Sequence, residues 1–208
     1  MWKSPGHWFQ RSVPTTRQAA WGRKWSSADL RKWNLEGVSR HYVDALEAGV
    51  LRPGDHWLDL GCGLGHSAAW LAEKGLHVLG VDFAQTAIDQ ACALHSTSLR
   101  LEFRMLDVTA RCDQLGQFDA ILDRGCLHGI SERAGYYRNL DLWLKPGGVF
   151  LLQHHLRRYS QSRLRQEVLR NSFARCALMT EKPIEMLESL TEKGIPGVFL
   201  VVRKDALK

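Results

Sequence analysis

The residue types and spacing best suited to chemistry lie in Leu58-Asp59-Leu60-Gly61-Cys62-Gly63-Leu64-Gly65-His66. This stretch follows an apolar run and opens a helical pattern, the setting in which glycine lets the backbone turn tightly and approach a ligand closely. A dinucleotide fingerprint needs G-x-G-x-x-G, but the glycines here fall at 61, 63 and 65 and position 66 is His, so nicotinamide binding is disfavoured. A phosphate-binding P-loop is absent as well, because no G-K-[ST] occurs. Asp59 followed by G-x-G-x-G suits a ligand with an α-amino group and a nucleoside. Asp82, 23 residues further on, ends the next apolar run, near the spacing at which a carboxylate accepts from both ribose hydroxyls. Asp107, with the Val108 backbone, is placed to accept from and donate to an adenine edge, and Phe83 offers a flat face for the base. Each acid alone reads as readily as a turn or helix cap. Three of them in register with one glycine loop point to a shared ligand.

The second group with chemical potential is Leu122-Asp123-Arg124-Gly125-Cys126-Leu127-His128-Gly129-Ile130. Arg124 offers a fixed cation, able to raise the thiolate fraction of a bound thiol or to hold a carboxylate through two bonds. His128 titrates in the range useful for acid–base work, and equally fits a helix-capping or core-edge histidine. Cys126 reads as a small buried apolar residue. His154 and His155, with Tyr159 behind them, end a later apolar run, and strand alternation turns one inward and the other outward. No acidic third ligand accompanies them in sequence, so no metal is expected.

These residues need a scaffold of alternating strands and helices. Apolar runs at 56–60, 77–82, 100–106, 118–123, 148–153 and 198–203 read as strands, and helices are expected at 39–49, 65–74, 84–95, 131–144 and 160–174, with a short one near 184–193. Strands alternating with helices of this length mean βαβ units and a parallel sheet. The sequence divides into an arm over residues 1–40 and a single domain over 41–208.

The whole chain of 208 residues carries a net charge of +6, which taken alone suggests a nucleic-acid or anionic-membrane partner. That charge is local. Residues 1–41 hold eight Lys and Arg against Asp29 and Glu36, and everything after them is neutral. Five of eight tryptophans also lie in the arm, and Trp21, Trp25 and Trp33 fall near one helical face. Two readings follow, a lid over the ligand site or plain packing against the sheet. A second basic segment at 155–175 reads as a solvated helix face or as a surface for an anionic partner. No apolar run spans a bilayer and no signal peptide is expected. Five scattered cysteines without metal spacing fit a reducing cytoplasm. Nucleic acid and membrane are not expected as partners.

Taken together, LDLGCGLGHS (58–67), GVDFAQTAID (80–89), Asp107, FDAILDRG (118–125) and LKPGGVFLL (144–152) resemble the class I S-adenosylmethionine-dependent methyltransferases. The resemblance covers roughly residues 50–155. It implies a Rossmann-like α/β fold with a seven-stranded, mostly parallel sheet, an antiparallel last strand and helices on both faces. It also implies S-adenosyl-L-methionine as cofactor and S-adenosyl-L-homocysteine as product. On this likeness Gly61, Gly63 and Gly65 meet the methionine part, Asp82 the ribose and Asp107 the adenine, with Asp59, Cys62, Phe83, Val108 and Asp123 completing the cofactor site. The 122–130 segment is similar to that of the thiopurine, thiol and halide methyltransferases, whose Trp-bearing N-terminal arm folds over the cofactor. That likeness brings Trp25 to the cofactor and Arg124 to the acceptor, with Trp21 and Trp33 as further candidates and His128 as the acid–base residue. The acceptor it implies is a small molecule, anionic where Arg124 pins it, and a thiol or other soft sulfur or chalcogen nucleophile. Protein-lysine methylation and small-molecule N- or O-methylation are the alternatives, and monomer or dimer is left open.

Overall fold

The computed structural model describes residues 16–26, 38–50, 52–95, 98–173, 175–186 and 194–206. Seven strands form one sheet: β1 (His56–Leu60), β2 (His77–Asp82), β3 (Leu101–Met105), β4 (Phe118–Arg124), β5 (Leu144–His155), β6 (Cys176–Met186) and β7 (Ile195–Lys204). Their order is β3-β2-β1-β4-β5-β7-β6, with β7 antiparallel to both neighbours and the other pairs parallel. This is the class I, Rossmann-like architecture expected from the sequence.

Period-two alternation sends the two sides of each central strand into separate cores. Leu58, Leu60, Val81, Ile121, Phe150 and Leu152 pack with Tyr136, Leu140 and Trp143 of α5 (Ala134–Trp143) and with Leu164 and Val168 of α6 (Gln161–Asn171). On the other face Trp57, Val78, Leu122 and Leu151 pack with Tyr42 of α2 (Arg40–Glu47) and Leu71 of α3 (His66–Glu73). Ser160 caps α6 through Arg163 N, and Ser39 caps α2 through His41 N while accepting from Gln153 on β5 at 2.5 Å. The cap of α2 is therefore tied to the sheet.

α4 (Gln85–Leu94) flanks β2 and β3 and carries a further helix, α1 (Thr16–Ser26), on its outer side. Thr86 Oγ1 donates to Gly22 O, and Gln90 Nε2 donates to Trp25 O at 3.0 Å. Trp33 lies outside the described residues, as do residues 1–15 and 27–37 of the arm.

Three sequence expectations change. The helix expected near 184–193 is replaced over Ile184–Met186 by the end of β6, and 187–193 lie outside the described residues. β6 was not read as a strand because it is a sheet edge with mostly half-exposed or exposed side chains and a register shift at Leu178/Thr180, which erases the alternation. β5 starts four residues earlier than expected, since Leu144 already pairs with Phe118 and Lys145, Pro146 and Gly147 continue the strand with little burial.

Candidate active site

A cavity of about 230 Å³ opens at the carboxyl ends of β1, β2 and β4, where chain connections diverge to opposite sides of β1. One wall comes from the glycine loop. Gly61 and Gly63 have φ of 66° and 56°, in the left-handed region that glycine occupies without strain. A Cβ on Gly61 would lie 2.8 Å from that of Cys126, and one on Gly63 would lie 2.7 Å from the Trp25 ring. The buried Trp25 indole packs directly over the loop, with its Nε1 sealed and unpartnered. Gly65 departs from expectation. It does not line the cavity, and a Cβ there would strike the Phe103 ring at 2.3 Å, so it is needed for packing of α3 on β3.

Asp82 ties this loop to the start of α4. Its two carboxylate oxygens accept from Gly63 N at 3.2 Å and Ala84 N at 2.9 Å, and each keeps a lone pair for a ligand hydroxyl. Burial raises its pKa, against the pull of those backbone bonds. Asp59, 4% exposed, lines the cavity floor, and its pKa is pushed up to about 7, first by burial and then by the charge of Asp123. Burial drives the Cys62 thiol well above its ordinary range, so it lines the site as a neutral group.

Asp107, Val108 and Thr109 form the adjoining wall. Asp107 Oδ1 accepts from Thr109 N at 2.9 Å and Thr109 Oγ1 at 2.7 Å, so the carboxylate shapes its own turn as well as facing the cavity. α5 grips this loop from behind. Asn139 Nδ2 donates to Val108 O and Ala110 O, and Trp143 Nε1 donates to Cys112 O. Phe83 also lines the cavity, 6.3 Å from Trp21 in an edge-on arrangement.

A further wall is the turn after β4. Asp123, assigned to the cofactor from the sequence, does not reach the cavity. It is fully buried, accepts from Cys126 N at 2.8 Å, Leu127 N at 2.9 Å and Tyr136 Oη at 2.7 Å, and so caps the short 3₁₀ helix Leu127–Gly129. Burial holds its pKa up at about 6 despite these donors. By fixing that turn, Asp123 presents Arg124, Cys126 and His128 to the cavity. The His128 ring lies on Gly125, which has φ +90° and whose Cβ would sit 2.8 Å from His128 Cε1. Burial and the neighbouring His155 depress the His128 pKa to about 3, leaving a neutral imidazole. His155 stacks on it at 4.2 Å and lines the cavity too.

Several lining residues carried no usable sequence signal. Met186, Ile130 and Thr109 are brought in by the end of β6 and by two turns. Tyr136 acts through a hydrogen bond to a residue 13 positions away, which no local pattern encodes.

The cavity's groups fit S-adenosylmethionine. Buried carboxylates at Asp59 and Asp82 suit an ammonium and two ribose hydroxyls, and the bare glycine backbone at 61 and 63 leaves room for an amino-acid chain.

Comparison with known proteins agrees with this geometry. A family model described as a methyltransferase domain matches residues 58–150. The chain is 34% identical over 125 residues to phosphoethanolamine N-methyltransferase 1 of Arabidopsis thaliana, covering 58% of this chain and 24% of that one. It is 31% identical over 137 residues to the ubiquinone biosynthesis O-methyltransferase of Xanthomonas campestris pv. campestris, covering 64% and 57% respectively. The chain thus spans only about a quarter of the first relative and just over half of the second. In structure it superposes on a Burkholderia thailandensis 1,6-didemethyltoxoflavin-N1-methyltransferase, solved with bound 1,6-didemethyltoxoflavin and S-adenosylhomocysteine, at a TM-score of 0.73. That likeness has 21% identity and covers 91% of this chain and 87% of the other. Residues 58–150 thus resemble a methyltransferase domain in sequence, and the chain shares the fold of that neighbour.

Proposed function

We propose that the protein transfers the methyl group of S-adenosylmethionine to a heteroatom of a small molecule that enters with a proton to lose. The observation that carries this is His128, a neutral imidazole held at the cavity wall beside Arg124 and opposite the glycine loop. When bound, the cofactor supplies an electrophilic methyl carbon on a sulfonium. The protein's part is to hold the acceptor at about 3 to 3.5 Å from that carbon, exclude water and take a proton at His128. Asp82 holds the ribose, Asp59 the ammonium, and Asp107 with Val108 the adenine. Gly61, Cys62, Gly63 and Phe83 line the space between them.

Arg124 and the 122–130 segment favour a thiol or other soft sulfur acceptor, whose thiolate a nearby cation increases. A second reading, an N–H or O–H acceptor, is favoured by His128, because such groups need a base more than a thiol does. The names of the two sequence relatives, an N- and an O-methyltransferase, lean the same way. Residues 1–40 serve as a cover, with Trp25 of α1 laid over Gly63. The test is methyl transfer from labelled cofactor to a panel of small thiols, phenols, amines and N-heterocycles. Turnover of protein lysines alone would overturn the proposal.

A further inference from the structure

Behind the cavity wall, on β5, lies the fully buried His154. We propose that His154 is a positioning residue that keeps the proton of neutral His128 on Nδ1 and so turns the Nε2 lone pair toward the acceptor. His154 Nδ1 lies 2.5 Å from the carbonyl oxygen of His155. A carbonyl only accepts, so the hydrogen of neutral His154 sits on Nδ1 and its Nε2 is a bare acceptor. That Nε2 is sealed from solvent with no donor among the described residues, and His128 Nδ1 is sealed in the same way. The two rings stand edge to face, 5.6 Å between centroids at 84°. A hydrogen on His128 Nδ1 makes these two orphaned nitrogens complementary, and a small rotation of the His128 ring or one bridging water joins them. The other tautomer would set two lone pairs against each other.

The groups around the pair keep both rings neutral. His155 stacks on His128, Tyr159 stands 5.6 Å from His154, and Arg133, paired with Glu167 of α6 at 2.7 Å, opposes a further positive charge. Burial, with Arg133 and His155, depresses His154 to about 4, and burial, with His155, His154 and Arg133, depresses His128 to about 3. Because Nδ1 of His128 is the sealed nitrogen, Nε2 is the edge that the ring presents to the cavity.

The kinetic consequence rests on the methyl-transfer reading above; the tautomer does not. In that transfer the acceptor heteroatom bonds to the methyl carbon, the donor's carbon–sulfur bond breaks with its electron pair left on sulfur, and the acceptor's proton goes to His128 Nε2. The imidazolium so formed donates from Nδ1 toward His154 Nε2, a bond strengthened by its charge. Loss of that partner lets the ring take its hydrogen on Nε2, where it cannot act as a base.

Nitrogen-15 histidine spectra of the full chain without acceptor, near neutral pH, read the tautomer directly, with the His128 signals assigned by their loss in His128→Asn. The expected result is a protonated Nδ1 and bare Nε2 in the wild type, retained in His154→Gln, whose side-chain oxygen can accept. In His154→Leu the hydrogen moves to Nε2. An Nε2–H tautomer in the wild type overturns the proposal, as does an unchanged tautomer in His154→Leu. Should the Leu variant fail to fold, the wild-type and Gln spectra decide. With an acceptor in hand, His154→Leu lowers kcat about tenfold or more at unchanged cofactor KM, and Gln restores it. Unchanged kcat in the Leu variant overturns the kinetic role. The expected tautomer with no turnover of any acceptor upholds the histidine pair and overturns the functional reading.

Discussion

Asp59 and Asp82 are both buried carboxylates, yet they answer differently to pH. Asp82 has two backbone donors, whereas Asp59 faces Asp123 across a low-dielectric interior and is pushed up to about 7. A raised carboxyl pKa means that the folded chain binds a proton the unfolded chain has released, so this group's effect on stability worsens as pH rises from about 4 to about 7 and then levels off. A cationic ligand reverses the preference. Cofactor affinity measured by calorimetry is expected to rise up to about tenfold per pH unit as Asp59 ionises below pH 7, with a proton released on binding. Asp59→Asn flattens that dependence; an unchanged slope in the variant would show that the titrating group is elsewhere. Asp82→Ala is expected to weaken cofactor binding about 100-fold, from the loss of charge-assisted bonds worth about 1.5 to 3 kcal/mol each. On the proposed division of roles, Arg124→Ala keeps cofactor affinity within about threefold and loses acceptor turnover. Equal loss of cofactor binding in the two variants would refute the division of labour.

At the scale of elements, the turn after β4 depends on a carboxylate that lies outside the cavity lining. Asp123 gathers Cys126 N, Leu127 N and the Tyr136 hydroxyl, and α5 contributes Tyr136 because its inner face packs on the sheet. Tyr136→Phe is expected to cost about 1 to 2 kcal/mol of stability in thermal or denaturant unfolding. It should also lower turnover by loosening the His128 turn, at unchanged cofactor affinity. Gly65→Ala strains a left-handed position and drives a methyl group into Phe103, a cost of about 2 to 4 kcal/mol visible as a lower midpoint. The glycine loop was legible in sequence because a ligand's demand on backbone leaves a local signature. Gly65 shows the limit of that signature, since a glycine required by a ligand and one required by an aromatic ring look alike. Asp123 illustrates the same limit: a strand-end acid was visible, but whether it turns to the cavity or to a tyrosine hydroxyl on α5 depends on tertiary packing. β1, β2 and β4 were read correctly because both faces are buried, while β6 at the edge carries no such pattern.

For the whole molecule, the question is how α1 relates to the glycine loop it touches. Trp25 packs over Gly63, and α1 contacts the body mainly through α4. Trp25→Ala removes a large buried ring and is expected to weaken cofactor binding more than it lowers the unfolding midpoint. Calorimetry alongside thermal denaturation checks this, and a change in stability alone would leave α1 as packing. The net charge of +6 lies within residues 1–41, and the remainder of the chain is neutral.

The bonds from α1 to α4 join residues 64 and 65 positions apart, Gly22 to Thr86 and Trp25 to Gln90. During synthesis the covering helix therefore leaves the ribosome well before the surface on which it settles. The surface that receives α1 is complete only once residues near 90 have been made.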